Sequence, residues 1–193
     1  RTGARLSYRL AQGMRVLWYG AHYALVRRTH GAKASGLPRV ALDVKGVRKA
    51  FFEVFAHDER AIAEGLYPPP RDADPRRLAR ALRSSRAFLS DAGKVQERRE
   101  RGGGVEVRDR PDADGFPTYY RQNFHYQTDG WFSEESAALY PTQVEVLFTG
   151  AAAPMRRLAV AEIAREVRRT GKRDASLIDI AGGEGGFLAD VLD

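Results

Sequence analysis

The sequence predicts a mainly α chain that passes, over residues 173–193, into the opening strand of an α/β domain. Three observations predict it. Apolar residues recur at spacings of three and four in successive segments between residues 5 and 170, the period of a helix with one buried face. Stretches carrying Gly and Pro separate those segments. The last stretch, Ser176-Leu177-Ile178-Asp179-Ile180-Ala181-Gly182-Gly183-Glu184-Gly185-Gly186-Phe187-Leu188, changes character: an apolar run ends in an acid, crosses a glycine-rich turn and enters an apolar-periodic segment. That order reads as strand, tight loop and helix start, a geometry in which backbone amides can face a ligand.

Taken in order, residues 5–28 form an amphipathic helix with Leu6, Leu10, Met14, Leu17, Ala21 and Leu25 on one side and Arg5, Arg9, Arg15, Arg27 and Arg28 around them. Trp18, Tyr19 and Tyr23 widen the apolar side. A basic amphipathic helix of this kind can lie on a membrane surface; the expectation adopted is a face packed on the protein's own core. Gly31, Gly36 and Pro38 mark a loop. A second helix spans 44–64 with Val47, Phe51, Val54, Phe55 and Ile62 on its buried face, ended by Leu66-Tyr67-Pro68-Pro69-Pro70. A third begins with Asp74 as N-cap and Pro75 at the first helical position, with Leu78, Leu82 and Leu89 as its apolar line. Its arginines, Arg76, Arg77, Arg80, Arg83 and Arg86, could track phosphates, but as a comb along one helix they read as a solvated face.

Residues 1–92 thus make a helical N-terminal region. Residues 93–115, charged and then Gly-rich at Gly102-Gly103-Gly104, read as a linker or mobile loop. Residues 116–172 form a helical cap. It opens on Tyr119-Tyr120-Arg121-Gln122-Asn123-Phe124-His125-Tyr126-Gln127-Thr128-Asp129-Gly130-Trp131-Phe132, a mixture of rings and polar tips that suits a pocket wall or a polar hinge. Ser133 caps the next helix, with Glu134 and Glu135 in its first turn and Ala137, Tyr140, Val144 and Leu147 facing inward. Pro141 should kink or restart that helix, and Gly150 breaks it. A final long helix runs from about 152 to 170 on Met155, Leu158, Ile163 and Val167, closed by Gly171.

Composition narrows the classes. A hydrophobic fraction of 43% supports a core, and 10% aromatic residues argue against wholesale disorder. Zero Cys excludes disulfides, thiolate metal sites and a cysteine nucleophile. No His, Asp and Glu group has metal-ligand spacing, so no metal is expected. The net charge of +7 suits an anionic partner, yet the arginines are dispersed among acids and alanines, as on solvated helix faces. No apolar run reaches the ~18 to 20 residues of a membrane span, and a soluble, cytoplasmic protein is the default. Arg1 opens the chain without an initiator Met, so a processed or truncated product is expected.

The glycine turn fails two nucleotide templates. For the dinucleotide fingerprint, Leu188 or Glu184 falls where a glycine is required. For a phosphate-cradling P-loop, Phe187 and Leu188 stand where Lys and Ser or Thr belong. The pattern that fits is Asp179-x-Ala181-x-Gly183-x-Gly185, which resembles the first motif of class I S-adenosylmethionine-dependent methyltransferases. Residues Tyr119 to Gly130, Ser133 to Ala137 and Gln143-Val144-Glu145 likewise resemble bacterial methyltransferases with a helical region ahead of a Rossmann-like domain. Gly182 and Gly186 depart from the common pattern, where larger residues are frequent.

The resemblance implies a truncated Rossmann-like domain over 173–193 with S-adenosyl-L-methionine as cofactor. Gly183 and Gly185 would line its methionine and ribose parts, with Asp179 close by and Ala181 and Tyr126 as further cofactor-binding positions. The acceptor would be a small molecule. His125 is the candidate catalytic base, with Tyr126 and Asp129 as orienting groups. Without a second strand and its ribose-binding acid, the chain alone is expected to bind the cofactor negligibly and to leave Ser176–Asp193 poorly supported. Two other readings remain open: a basic helical binding module for nucleic acid or a membrane surface, and, disfavoured by Leu188, a truncated dinucleotide-binding oxidoreductase. The acceptor and the oligomeric state are not legible.

Overall fold

The computed structural model describes residues 2–29, 41, 43–70, 78–102, 108–119, 121, 133–171, 174–180 and 182–192. Among the described residues the regular structure is helical: α1 (Thr2–Thr29), α2 (Val44–Ala63), α3 (Leu78–Glu100), α4 (Glu134–Leu147), α5 (Ala152–Thr170) and α6 (Gly186–Leu192), with one 3-10 turn at Pro111–Ala113. The mainly α expectation holds. The expected strand is absent among the described residues: 175–179 carries no regular structure, and Ile178 and Ile180 are 86% and 88% exposed. A lone parallel strand has neither a hydrogen-bonding neighbour nor covered faces, so its apolar side chains gain nothing from the extended form.

Helix ends follow local chemistry. Asp43 caps α2, its Oδ1 accepting from the Gly46 amide at 2.9 Å. Three residues short of the proline run, α2 closes in a Schellman turn: Gly65 takes φ +69° and the Leu66 amide donates to the Ala61 carbonyl at 3.0 Å. Ser133 caps α4 as expected, accepting from the Ser136 amide at 3.1 Å. α4 runs through Pro141 without a restart. α5 has the expected bounds, with Gly171 at φ 66° donating to the Val167 carbonyl. α3 continues to Glu100, so residues 93–100, expected in a linker, are helical. Val95 is buried there and Gln96 donates to Glu100 at 2.9 Å. The expected cap at Asp74 and Pro75 lies outside the described residues.

The chain divides into two compact units. The first comprises Arg1–Gly20, Ala34–Asp74 and Phe148–Asp193; the second comprises Ala21–Lys33 and Pro75–Leu147. In the first, α5 packs against α2 and carries α6. The turn after α4 lies directly on α1: a Cβ at Gly150 would sit 3.3 Å from the Arg15 backbone, and φ there is +83°. Only glycine meets both conditions. In the second unit α3 packs against α4, and the His22 and Phe88 rings stand 6.2 Å apart.

The buried faces differ from those expected. On α1, Leu6, Leu10, Met14 and Leu17 are exposed while Tyr8, Gln12 and His22 are buried. On α3, Ser85, Phe88, Asp91 and Val95 are buried while Leu78 and Leu82 are exposed. On α4, Ser136, Glu145 and Val146 replace the expected Ala137 and Leu147. On α5 the buried line is Ala153, Arg157, Val160 and Ala161, not Met155 and Val167. The cause in the first unit is polar. Tyr8, Asp58 and Arg157 satisfy one another, and burying an unpaired charge costs more than exposing several leucines.

Candidate functional site

Two places in the first unit hold chemistry-bearing side chains. The first is Asp58, which is 0% exposed. It stands on the same side of α2 as Phe51, Val54 and Phe55, so the helix carries its carboxylate inward. Arg157 of α5 grips it with two forks of the guanidinium, Nη2 to Oδ2 at 2.7 Å and Nε to Oδ1 at 3.0 Å. Tyr8 of α1 donates its hydroxyl to Oδ2 at 2.6 Å, and Tyr67, just past α2, donates to Oδ1 at 2.6 Å. Burial pushes both phenols well above their ordinary range, the hydrogen bond and charge of Asp58 push them further, and Arg157 opposes. Both carboxylate oxygens are occupied and the group is closed to solvent. It therefore holds α1, α2 and α5 together and offers nothing to a substrate.

This cluster was missed from sequence, although a signal existed. An acid four residues after Val54 and three after Phe55 sits on an apolar face, where an unpaired charge is not tolerated.

Beside it, a half-open groove of ≈ 360 Å³ is lined by His57, Arg60, Ala61, Leu158, Glu162 and Arg165. Arg165 is engaged by Glu64 and Glu162. At the same end of α5, Arg168 donates to the Glu64 and Gly65 carbonyls, neutralising the carbonyl end of α2.

The second place is the glycine turn. The Gly185 amide donates to the Gly182 carbonyl at 3.0 Å, and α6 follows at once. Gly183 and Gly185 adopt φ +59° and +78°, the left-handed region that disfavours any side chain. At Gly182 the limit is steric: a Cβ would lie 2.6 Å from Oδ2 of Asp179, so the carboxylate folds over a bare backbone. Asp179 Oδ2 is sealed from solvent and has no hydrogen-bond donor among the described residues. Arg156 links the turn to α5 through Asp190 at 3.4 Å.

These features fit the group implied by the motif. Two backbone positions are free of side chains at the spacing the motif requires, and Asp179 Oδ2, against Gly182, has no donor among the described residues. Of the residues expected at the site, the structure brings together Asp179, Gly183 and Gly185. Ala181, His125 and Tyr126 lie outside the described residues. Among the described residues, no three His, Asp or Glu side chains form a group able to hold a metal ion.

No protein-family model, curated protein or solved structure matches the chain.

Proposed function

We propose that the turn from Asp179 to Gly185 is the cofactor loop of a class I S-adenosylmethionine-dependent methyltransferase. The observation that carries this reading is a solvent-sealed Oδ2 of Asp179, without a donor among the described residues, in a turn whose Gly183 and Gly185 are held at positive φ. The bound cofactor supplies a methyl group activated on a sulfonium. The rest is binding and placement by the chain's own residues. Gly183 and Gly185 let the backbone approach a ligand where a Cβ would collide. Asp179 supplies a carboxylate at the turn for a ligand carrying positive charge. Arg156, held by Asp190, steadies the start of α6 behind the turn. Methyl transfer asks chiefly for in-line placement of a nucleophile, a positioning task. His125 is the residue proposed to accept a proton from the acceptor.

The test is calorimetric titration of S-adenosylmethionine into the product of the complete reading frame, beside residues 1–193 alone. Binding by the complete product, weakened on the order of tenfold or more in Asp179→Ala, supports the reading, since a charge-assisted contact of that size is at stake. Absence of binding by the complete product, or an Asp179→Ala variant that binds equally well, refutes it.

A further inference from the structure

α1 is amphipathic in the reverse of the usual sense. Its aliphatic stripe, Leu6, Leu10, Met14 and Leu17, is 61%, 61%, 60% and 74% exposed. The side turned into the protein carries Tyr8 and Gln12 instead. On helical geometry the four apolar residues fall within an arc of about 80° and extend roughly 16 Å along the axis. Gly13 lies on the same line and adds no bulk. Tyr8 cannot turn outward to let the stripe in, because its hydroxyl is fixed on Asp58. The stripe is thus exposed by construction, and a continuous exposed apolar strip of this kind marks an interaction surface.

We propose that this strip docks on an anionic lipid surface. Charge selects the occupant. None of the 28 residues of α1 is acidic, and Arg5 and Arg9 flank the stripe, with Arg9 keeping most of its side chain in solvent while it contacts Glu59. The first turns of α2, in the same unit, also expose Val44, Val47 and Phe52 near Lys45 and Arg48, although Asp43 caps this helix and Lys49 pairs with Glu53. The whole chain carries +7. A second copy meeting the stripe two-fold would set Arg5 against its own equivalent with no acid on either α1, Arg9 being paired with Glu59. Acyl chains below a layer of anionic headgroups meet both demands: the leucines leave water, and the arginines gain counter-charges. The helix lies on such a surface and does not cross it, since no helix among the described residues is long and apolar enough to span a membrane.

The experiment sediments the product of the complete reading frame with vesicles of phosphatidylcholine alone and of phosphatidylcholine mixed with phosphatidylglycerol. The expected result is binding to the mixed vesicles only, weakening as salt rises. The doubly substituted Leu10→Gln, Leu17→Gln protein should bind on the order of tenfold more weakly, because the apolar area it inserts is lost. Both leucines are exposed, so its thermal melt should match the wild type. Several outcomes overturn the proposal. One is failure to sediment with the mixed vesicles, as when another part of the polypeptide covers the stripe. Another is equal binding by the double variant. Without vesicle binding, a wild-type dimer that the double variant dissolves assigns the stripe to a second copy. Also without vesicle binding, equal affinity of both proteins for duplex DNA assigns the basic charge to a phosphate backbone.

Discussion

Asp58 and Asp179 belong to the same unit and differ in every respect that decides what a carboxylate does. Asp58 is enclosed, with donors on both oxygens from two tyrosines and an arginine. Asp179 sits over a glycine backbone with one oxygen hidden from water and no donor for it among the described residues. The first is complete without any other molecule and so is an element of architecture. The second has no such set of donors among the described residues, and it is the acid proposed to meet a ligand. Burial alone would have ranked Asp58 as the functional acid; hydrogen-bond accounting reverses the order.

The contrast can be broken most forcefully at Asp58. Asp58→Ala leaves the Arg157 guanidinium buried without its partner, and the first unit should lose about 3 to 5 kcal/mol in urea unfolding. A loss under about 1 kcal/mol would mean that water reaches Arg157 and that the cluster is not closed. Next come the tyrosines. Tyr8→Phe and Tyr67→Phe each remove one donor to a charged acceptor and should cost about 1.5 to 3 kcal/mol, read from the same denaturation curves.

Their titration adds a pH arm. Each phenol has its folded value raised, so the folded protein holds protons that the unfolded chain releases. The contribution is therefore full below the unfolded value of about 10 and falls as pH rises above it. The urea midpoint of the wild type should drop between mildly alkaline solution and pH about 11, and the Tyr8→Phe, Tyr67→Phe double variant should show a shallower drop. The smallest effect belongs to the other carboxylate. Asp179→Ala should change the stability of residues 1–193 by no more than about 0.5 kcal/mol, because Oδ2 has no donor among the described residues. A cost as large as that at Asp58 would make Asp179 a second structural acid and remove the ground for assigning it to a ligand.

The positions of helices were legible because their ends are local. Ser133, Gly150 and Gly171 act on amides and carbonyls within a few residues, and all three stand where the structure places a boundary. Which side of each helix is buried was not legible, because a contact across ninety-nine positions decides it: Asp58 chooses Arg157, and α1, α2 and α5 turn to suit. Leu6 and Leu17 look like core residues until the partner of Tyr8 is known. The glycine turn was legible for the converse reason. Gly183 and Gly185 are required by the backbone angles of the turn itself, so their spacing carries the geometry without help from distant chain. The strand before it was not, since a strand is defined by a neighbour and none stands beside Ile178 or Ile180 among the described residues.

The separation of Asp58 from Arg157 also orders the making of the protein. At ordinary rates of synthesis, roughly 5 to 20 s pass between the appearance of the acid and that of its arginine. During that interval Tyr8 and Asp58 already exist, but the charge has no guanidinium and cannot be enclosed. Residues 75–147, which complete the second unit, emerge in the same interval and can settle first. Closure of the first unit waits for α5. A nascent chain stalled before residue 157 should therefore expose residues 2–20 and α2 to protease while α3 and α4 are already protected.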